Sequence, residues 1–136
     1  MASDWEPRIV TFMCDWCLYS RLDQADVARI QEDPRVRIIK IPCLGRIDPV
    51  YVLMTLQEGI DGVIVAGCHP GDCHYKRGNY MAENRMKLLQ QVLENIGGDG
   101  RVRFAHIATG ARGELPRLVK EMTENVRAMG PIKLME

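Results

Sequence analysis

The 136-residue sequence has no long hydrophobic run. Its apolar stretches, such as Val63 to Ala66, are far too short to span a bilayer, so no membrane-embedded segment is expected. It has no excess of charge either: 18 basic and 18 acidic side chains give a formal net charge of zero. A chain so balanced carries no global electrostatic signal for nucleic acid or a membrane surface. The opening residues, MASDWEPR, lack the basic stretch and apolar segment of a signal peptide, and a cytoplasmic location is expected. Missing too are a GxxxxGK[ST] phosphate loop, a GxGxxG after the first strand and a GxSxG elbow. No carboxylates pair in a recognisable acid–base arrangement. A substrate-converting centre is therefore not evident, and a non-catalytic role is expected. Repeats, low-complexity tracts and linkers are absent, so residues 1–136 read as one domain, long enough to bury a core.

What is present alternates between short β-forming runs and amphipathic segments. Strands are predicted at Arg8 to Met13, Val36 to Ile41, Gly62 to Ala66 and Val102 to Ile107. The third is apolar throughout, as a strand covered on both faces should be. Helices are predicted from Leu22 to Glu32, from Pro49 to about Glu58, from Gly78 to Ile96 and from Glu114 to Met129. Asp48 is placed to cap the second helix, with Pro49 at its first position and Gly59 to end it. Met81, Leu88, Leu89, Val92, Leu93 and Ile96 are expected on one stripe of the third. Leu115, Leu118, Val119, Met122 and Val126 fall at three- and four-residue steps in the last. Strands separated by helices imply right-handed βαβ units. The expected fold is a small α/β, flavodoxin-like parallel sheet of four strands, order 2-1-3-4, with helices on both faces. A thioredoxin-like sheet is the alternative.

The five cysteines stand out against this frame. Cys14 and Cys17 follow the first strand in FMCDWCLYS, Cys43 follows the second in IPCLGRIDP, and Cys68 and Cys73 follow the third in VIVAGCHPGDCHY. The fourth strand carries none. An intracellular chain does not ordinarily keep structural disulfides, so clustered thiols point to metal or redox chemistry. A single reduced cysteine can serve as a small core hydrophobe, but that reading weakens when all five stand at strand ends. In the expected order, strand 1 lies between strands 2 and 3, and neighbouring strands are about 4.8 Å apart. Three adjacent turns can then converge outside the carboxyl edge of the sheet, where open α/β folds place their sites. Four thiolates hold a [2Fe–2S] or a [4Fe–4S] centre. One thiol is left over, and Cys43, farthest from the switch between strands 1 and 3, is the one that position singles out.

The neighbouring residues admit two readings each. Gly67 and Gly71 would let backbone bend around a cluster and aim N–H groups at sulfur, or would make an ordinary turn. His69 and His74 can act as ligands or proton carriers, but polar loop residues are the better reading. His106, within a strand, reads as a hydrogen-bonded core or rim residue. Arg46, Lys76 and Arg77 could offset thiolate charge or meet an acidic partner, and singly each reads as solvated surface charge. Trp16, Tyr19 and Tyr75 could shield a centre or cover the core.

The segments CDWCLYS and IPCLGRIDPVYVLMTLQEGIDGVIVAGCHPGDCHYKRGN, with the distal Gly130-Pro131, resemble the delta subunit of methyl-viologen-reducing hydrogenase. The resemblance runs from about Arg8 to Pro131. It implies one [2Fe–2S] cluster with ligands drawn from Cys14, Cys17, Cys43, Cys68 and Cys73. It also implies an electron bridge between a nickel–iron hydrogenase or formate dehydrogenase and the FAD-containing subunit of heterodisulfide reductase, within a hetero-oligomeric complex. Two other readings compete. Cys14-x-x-Cys17, between a strand and a helix, suits a thioredoxin-like dithiol oxidoreductase, which leaves three cysteines without a task. Four Cys/His ligands would also suit structural zinc, although a chain this long builds a core without metal.

Overall fold

The computed structural model describes residues 6–14, 28–30, 32, 34–41, 47–68, 78–96, 100–107 and 113–130. Their elements run β1 (Ile9–Cys14), β2 (Val36–Ile41), α1 (Pro49–Gln57), β3 (Gly62–Cys68), α2 (Gly78–Ile96), β4 (Val102–Ile107) and α3 (Glu114–Met129). Of the helix expected from Leu22 to Glu32, residues 28–30 are helical and Glu32 N–H donates to the Ala28 carbonyl at 3.1 Å. The remainder of that expectation lies outside the described residues.

The four strands form one sheet in the order β2-β1-β3-β4, and every pairing is parallel. The flavodoxin-like order holds. Parallel neighbours require each chain segment to return along the sheet before the next strand begins, which sets the helices on its faces. Register and ion pairs show which helix takes which face. Ile9 pairs with Gly62, and a β-carbon on Gly62 would stand 3.0 Å from Ile9 Cδ1 and from Val126 Cγ2, so α3 covers this face. Arg103, on the same face by register, reaches Glu121 of α3 at 3.2 Å. His106, of opposite parity on β4, stands 3.6 Å from Glu83 of α2. Helix α2 therefore covers the second face, and the Gln90 amide donates to the Val102 carbonyl at 2.9 Å.

The core follows from this double coverage. Val63, Ile64, Val65 and Ala66 of β3 are fully buried, as their unbroken apolar run requires. All five residues assigned to the inner stripe of α3 are buried. The stripe predicted for α2 is corrected. Leu89 and Leu93 are buried together with Met86, but Met81, Leu88 and Val92 are exposed. The apolar arc of α2 is wider than the sheet can cover. Polar groups lie inside at two places. At the first, the Thr11 hydroxyl, in the middle of β1, has no hydrogen-bond partner among the described residues.

The second is a knot at the amino edge of the sheet. Asp61 accepts the Arg8 N–H on Oδ2 at 3.1 Å, and its own N–H returns to the Arg8 carbonyl at 2.9 Å. The buried Arg101 guanidinium donates to the Asp61 carbonyl at 3.2 Å, while Val63 N–H donates to the Arg101 carbonyl at 2.7 Å. Burial pushes the Arg101 pKa below its ordinary value, and the Asp61 charge opposes that shift. These bonds tie β1, β3 and β4 together where the strands begin.

Gly62 is the tightest point between sheet and helix. A β-carbon there would also lie 3.3 Å from Met122 Cγ. Gly62→Val adds three carbons to a filled space and is expected to lower the unfolding free energy by about 2–3 kcal/mol, read by urea denaturation. An unchanged midpoint would show that α3 does not seat as described.

Candidate metal centre at the carboxyl edge of the sheet

Cys14 and Cys68 are strand residues, not loop residues. Cys14 is the last residue of β1 and pairs with Ile41, the last residue of β2. Cys68 is the last residue of β3 and pairs with Ile107, the last residue of β4. Between β1 and β3 the final pair is Met13 with Ala66, so Cys14 and Cys68 each continue a strand beyond that pair. Their backbones leave the sheet on adjacent strands, about 4.8 Å apart, offset along the strands by one residue step of about 3.3 Å. Cys43 follows the end of β2 at Ile41. Three neighbouring strands thus deliver their chains to one edge, in the order expected.

Cys17, Cys43 and Cys73 lie outside the described residues, as do Trp16, Tyr19, Arg46, His69, Gly71, His74, Tyr75, Lys76 and Arg77. Among the described residues, no three His, Cys, Asp or Glu side chains gather as a metal site. The donor set still fits iron in its chemistry. Thiols are the usual ligands of iron–sulfur centres, and two of them end adjacent parallel strands. Nothing comparable stands at the amino edge among the described residues, where arginines and Asp61 close the sheet.

Two residues near the edge behave differently from the sequence reading. Gly67 does not form a turn. It is buried within β3 and pairs with His106 of β4. The glycine that matters for packing is Gly62, which no sequence signal distinguished. His106 is the rim residue expected. Its Nε2 stands 3.6 Å from Glu83 Oε1, and its ring meets Phe104 edge-on at 4.9 Å between centroids. Glu83 was not anticipated. Its position in the second turn of α2, opposite the end of β4, becomes visible only once the helix is laid on the sheet.

The start of α1 is built as the sequence demands. Asp48 is extended, its Oδ1 accepts the Val50 N–H at 2.9 Å, and Pro49 takes the first helical position. Arg85 of α2 donates to the Ile47 carbonyl at 3.1 Å, just ahead of that cap. Gly59, at φ 102°, follows the end of the helix. The chain is thereby anchored at Ile47 and Asp48.

Residues 9–130 match the family of the methyl-viologen-reducing hydrogenase, delta subunit. The chain belongs to this family. It is 42% identical over 137 residues to the iron–sulfur subunit of the F420-non-reducing hydrogenase vhc of Methanococcus voltae, covering all of this chain and 95% of that one. It is 41% identical over 134 residues to the iron–sulfur subunit of the F420-non-reducing hydrogenase of Archaeoglobus profundus, covering 98% of each. It is 37% identical over 127 residues to one subunit of the ferredoxin/F420H2-dependent CoB-CoM heterodisulfide reductase of Methanosarcina acetivorans. There the match takes in 93% of this chain but only 16% of that protein. The delta-subunit unit thus occurs both as a chain of about this length and inside a far longer one. No helix among the described residues is long and apolar enough to cross a membrane.

Asp48→Ala removes the acceptor for the Val50 N–H at the start of α1. It is expected to lower the unfolding free energy by about 1 kcal/mol, with Asp48→Asn near the parent value, both read by chemical denaturation. Equal stability of all three would show that the cap contributes nothing.

Proposed function

We propose that this delta-subunit family member is an electron-transfer protein holding one [2Fe–2S] cluster at the carboxyl edge of its sheet. The observation that carries this reading is the placement of Cys14 and Cys68 at the ends of adjacent parallel strands. The names of its relatives as iron–sulfur subunits support it. Four of Cys14, Cys17, Cys43, Cys68 and Cys73 would hold the cluster, with Cys43 the thiol left over. When bound, the cluster supplies a one-electron redox centre.

The chain's own part is to hold and tune. The parallel ladder fixes where the ligand-bearing segments begin, and the covered sheet behind them keeps water from one side of the site. N–H groups near the thiolates would raise the reduction potential of whatever they face. The donor in this reading is a nickel–iron hydrogenase or a formate dehydrogenase, and the acceptor is the FAD-containing subunit of heterodisulfide reductase. The likeness both to hydrogenase iron–sulfur subunits and to part of a heterodisulfide reductase supports a place between the two. The working form is a hetero-oligomer in the cytoplasm, built from residues 1–136 as a single domain.

Anaerobically purified protein is expected to be coloured, with about two iron and about two sulfide per chain and the electron paramagnetic resonance of a reduced two-iron centre. Serine at Cys14, Cys17, Cys68 or Cys73 is expected to abolish that signal, and Cys43→Ser to retain it. Iron-free protein that cannot be reconstituted overturns the reading. If such protein reduces disulfides through Cys14 and Cys17 alone, the thioredoxin-like alternative replaces it.

A further inference from the structure

The electron-transfer reading uses the carboxyl edge of the sheet and leaves the amino edge unassigned. A cavity of about 470 Å³ opens at that amino edge, with Arg8, Arg35 and Arg37 in its wall beside Val10, Pro34 and Ile60. Its volume lies in the range of small-molecule sites. Among the described residues, no carboxylate lines it.

The ladder brings the three arginines together. Ile9 pairs with Val36, and Val10 with Arg37. Ile9 faces α3, so Val10 and Arg37 face the other side of the sheet. Arg8 and Arg35 stand two residues before them with the same parity, and the Ile9 N–H donates to the Arg35 carbonyl at 2.9 Å. Strand spacing and rise then set the origins of the three side chains about 5–8 Å from one another.

A single exposed cation on an edge strand such as β2 calls for no ligand, because it blunts that edge against other chains. Three at neighbouring positions on one face are a different case, since like charges side by side destabilise a sheet. The chain as a whole carries no excess of positive charge, so the grouping is local. Asp61 does not relieve it: its buried carboxylate accepts the Arg8 N–H, and its charge acts on Arg101. Among the described residues, the guanidinium groups of Arg8 and Arg37 have no ion-pair partner. An anion among the arginines offsets their repulsion. A carboxylate brings one charge and two oxygens, whereas a phosphate monoester brings nearly two charges and three acceptor oxygens, which planar guanidinium forks grip in pairs. The remaining wall is apolar, with Val10 buried and Ile60 half-buried.

We infer that this cavity binds a small organic phosphate, its phosphate group among Arg8, Arg35 and Arg37 and its apolar part against Val10, Pro34 and Ile60. The donors are side chains, in keeping with a sequence that has no glycine-rich phosphate loop. The site lies at the opposite end of the strands from Cys14 and Cys68, about 16 Å along the sheet, and does not depend on iron.

Calorimetric titration of the iron-loaded chain at low salt tests it, with adenosine monophosphate, phenyl phosphate, inorganic phosphate and hexaglutamate as probes. At least one of the two esters is expected to bind, one per chain and more tightly than inorganic phosphate. Arg8→Gln and Arg37→Gln, both at exposed positions, are each expected to weaken that binding about tenfold or more with no change in melting temperature or iron content. Arg37→Lys, which keeps the charge and loses the fork, is expected to fall between Arg37→Gln and the parent. Lys120→Gln, on α3 across the sheet, is expected to leave binding unchanged. Failure of both esters to bind, or equal affinity in both glutamine variants, overturns the site. So does an equal loss in Lys120→Gln, which would reduce the effect to overall charge. Inorganic phosphate binding as tightly as either ester overturns the organic ligand. Hexaglutamate binding through Arg8 and Arg37 without either ester makes an acidic peptide the occupant and also overturns it.

Discussion

The parallel ladder between β1 and β3 is the constraint on which the rest of the structure depends. These strands are the middle pair of the sheet, and each is followed by a cysteine-bearing segment. Because they run the same way and end within one residue step of each other, the chain leaves both strands at the same edge, at Cys14 and at Cys68. An antiparallel pairing would send the two segments to opposite ends, and no shared centre could form. The ladder is held by burial. Ile9, Met13, Val63, Ile64, Val65 and Ala66 are enclosed between α3 on one face and α1 and α2 on the other. Moving one strand by a single residue would turn its apolar set from one helix layer to the other and break this fit.

The two ends of the sheet divide the work. At the amino edge, Asp61, Arg8 and Arg101 close the strands with hydrogen bonds to backbone groups, and the Asp61 charge acts on the Arg101 guanidinium. A buried guanidinium is tolerable there because Asp61 stands beside it. The carboxyl edge carries Cys14 and Cys68 at the ends of β1 and β3, and His106 with Glu83 marks its rim on the β4 side. Fixed structure at one end and chemistry at the other is the usual division of an open α/β sheet.

Much of this was legible in the residues. β2 and β4 have the predicted bounds, as do α2 and α3, because each is delimited by glycine, proline or a change of apolar period. The strand order is the one expected for alternating strands and helices in a flavodoxin-like sheet, and it sets the three cysteine-bearing strands next to one another. Less legible was how far β1 and β3 run. They extend to Cys14 and Cys68, whose small thiols look like turn residues in a CxxC or GCHPGDC context but continue a strand when a neighbouring strand pairs with them. Gly67 misled for the same reason, as a glycine adjacent to a cysteine reads as a bend. The exposure of Met81, Leu88 and Val92 could not be read from periodicity, because a helix's apolar arc does not state how much of it the sheet can cover. The Asp61–Arg101 contact joins residues 40 apart in sequence and has no local signature.

The central claim is that iron sits beyond the carboxyl ends of β1 and β3. Paramagnetic line broadening in a nitrogen-edited NMR spectrum of the reduced, iron-loaded chain tests it most directly. Amide signals of Ile41, Gly67 and Ile107 should broaden beyond detection, while those of Ile9, Gly62 and Val102 at the other end stay sharp. Broadening centred on Ile9, Gly62 and Val102, or sharp signals from both ends, would contradict it.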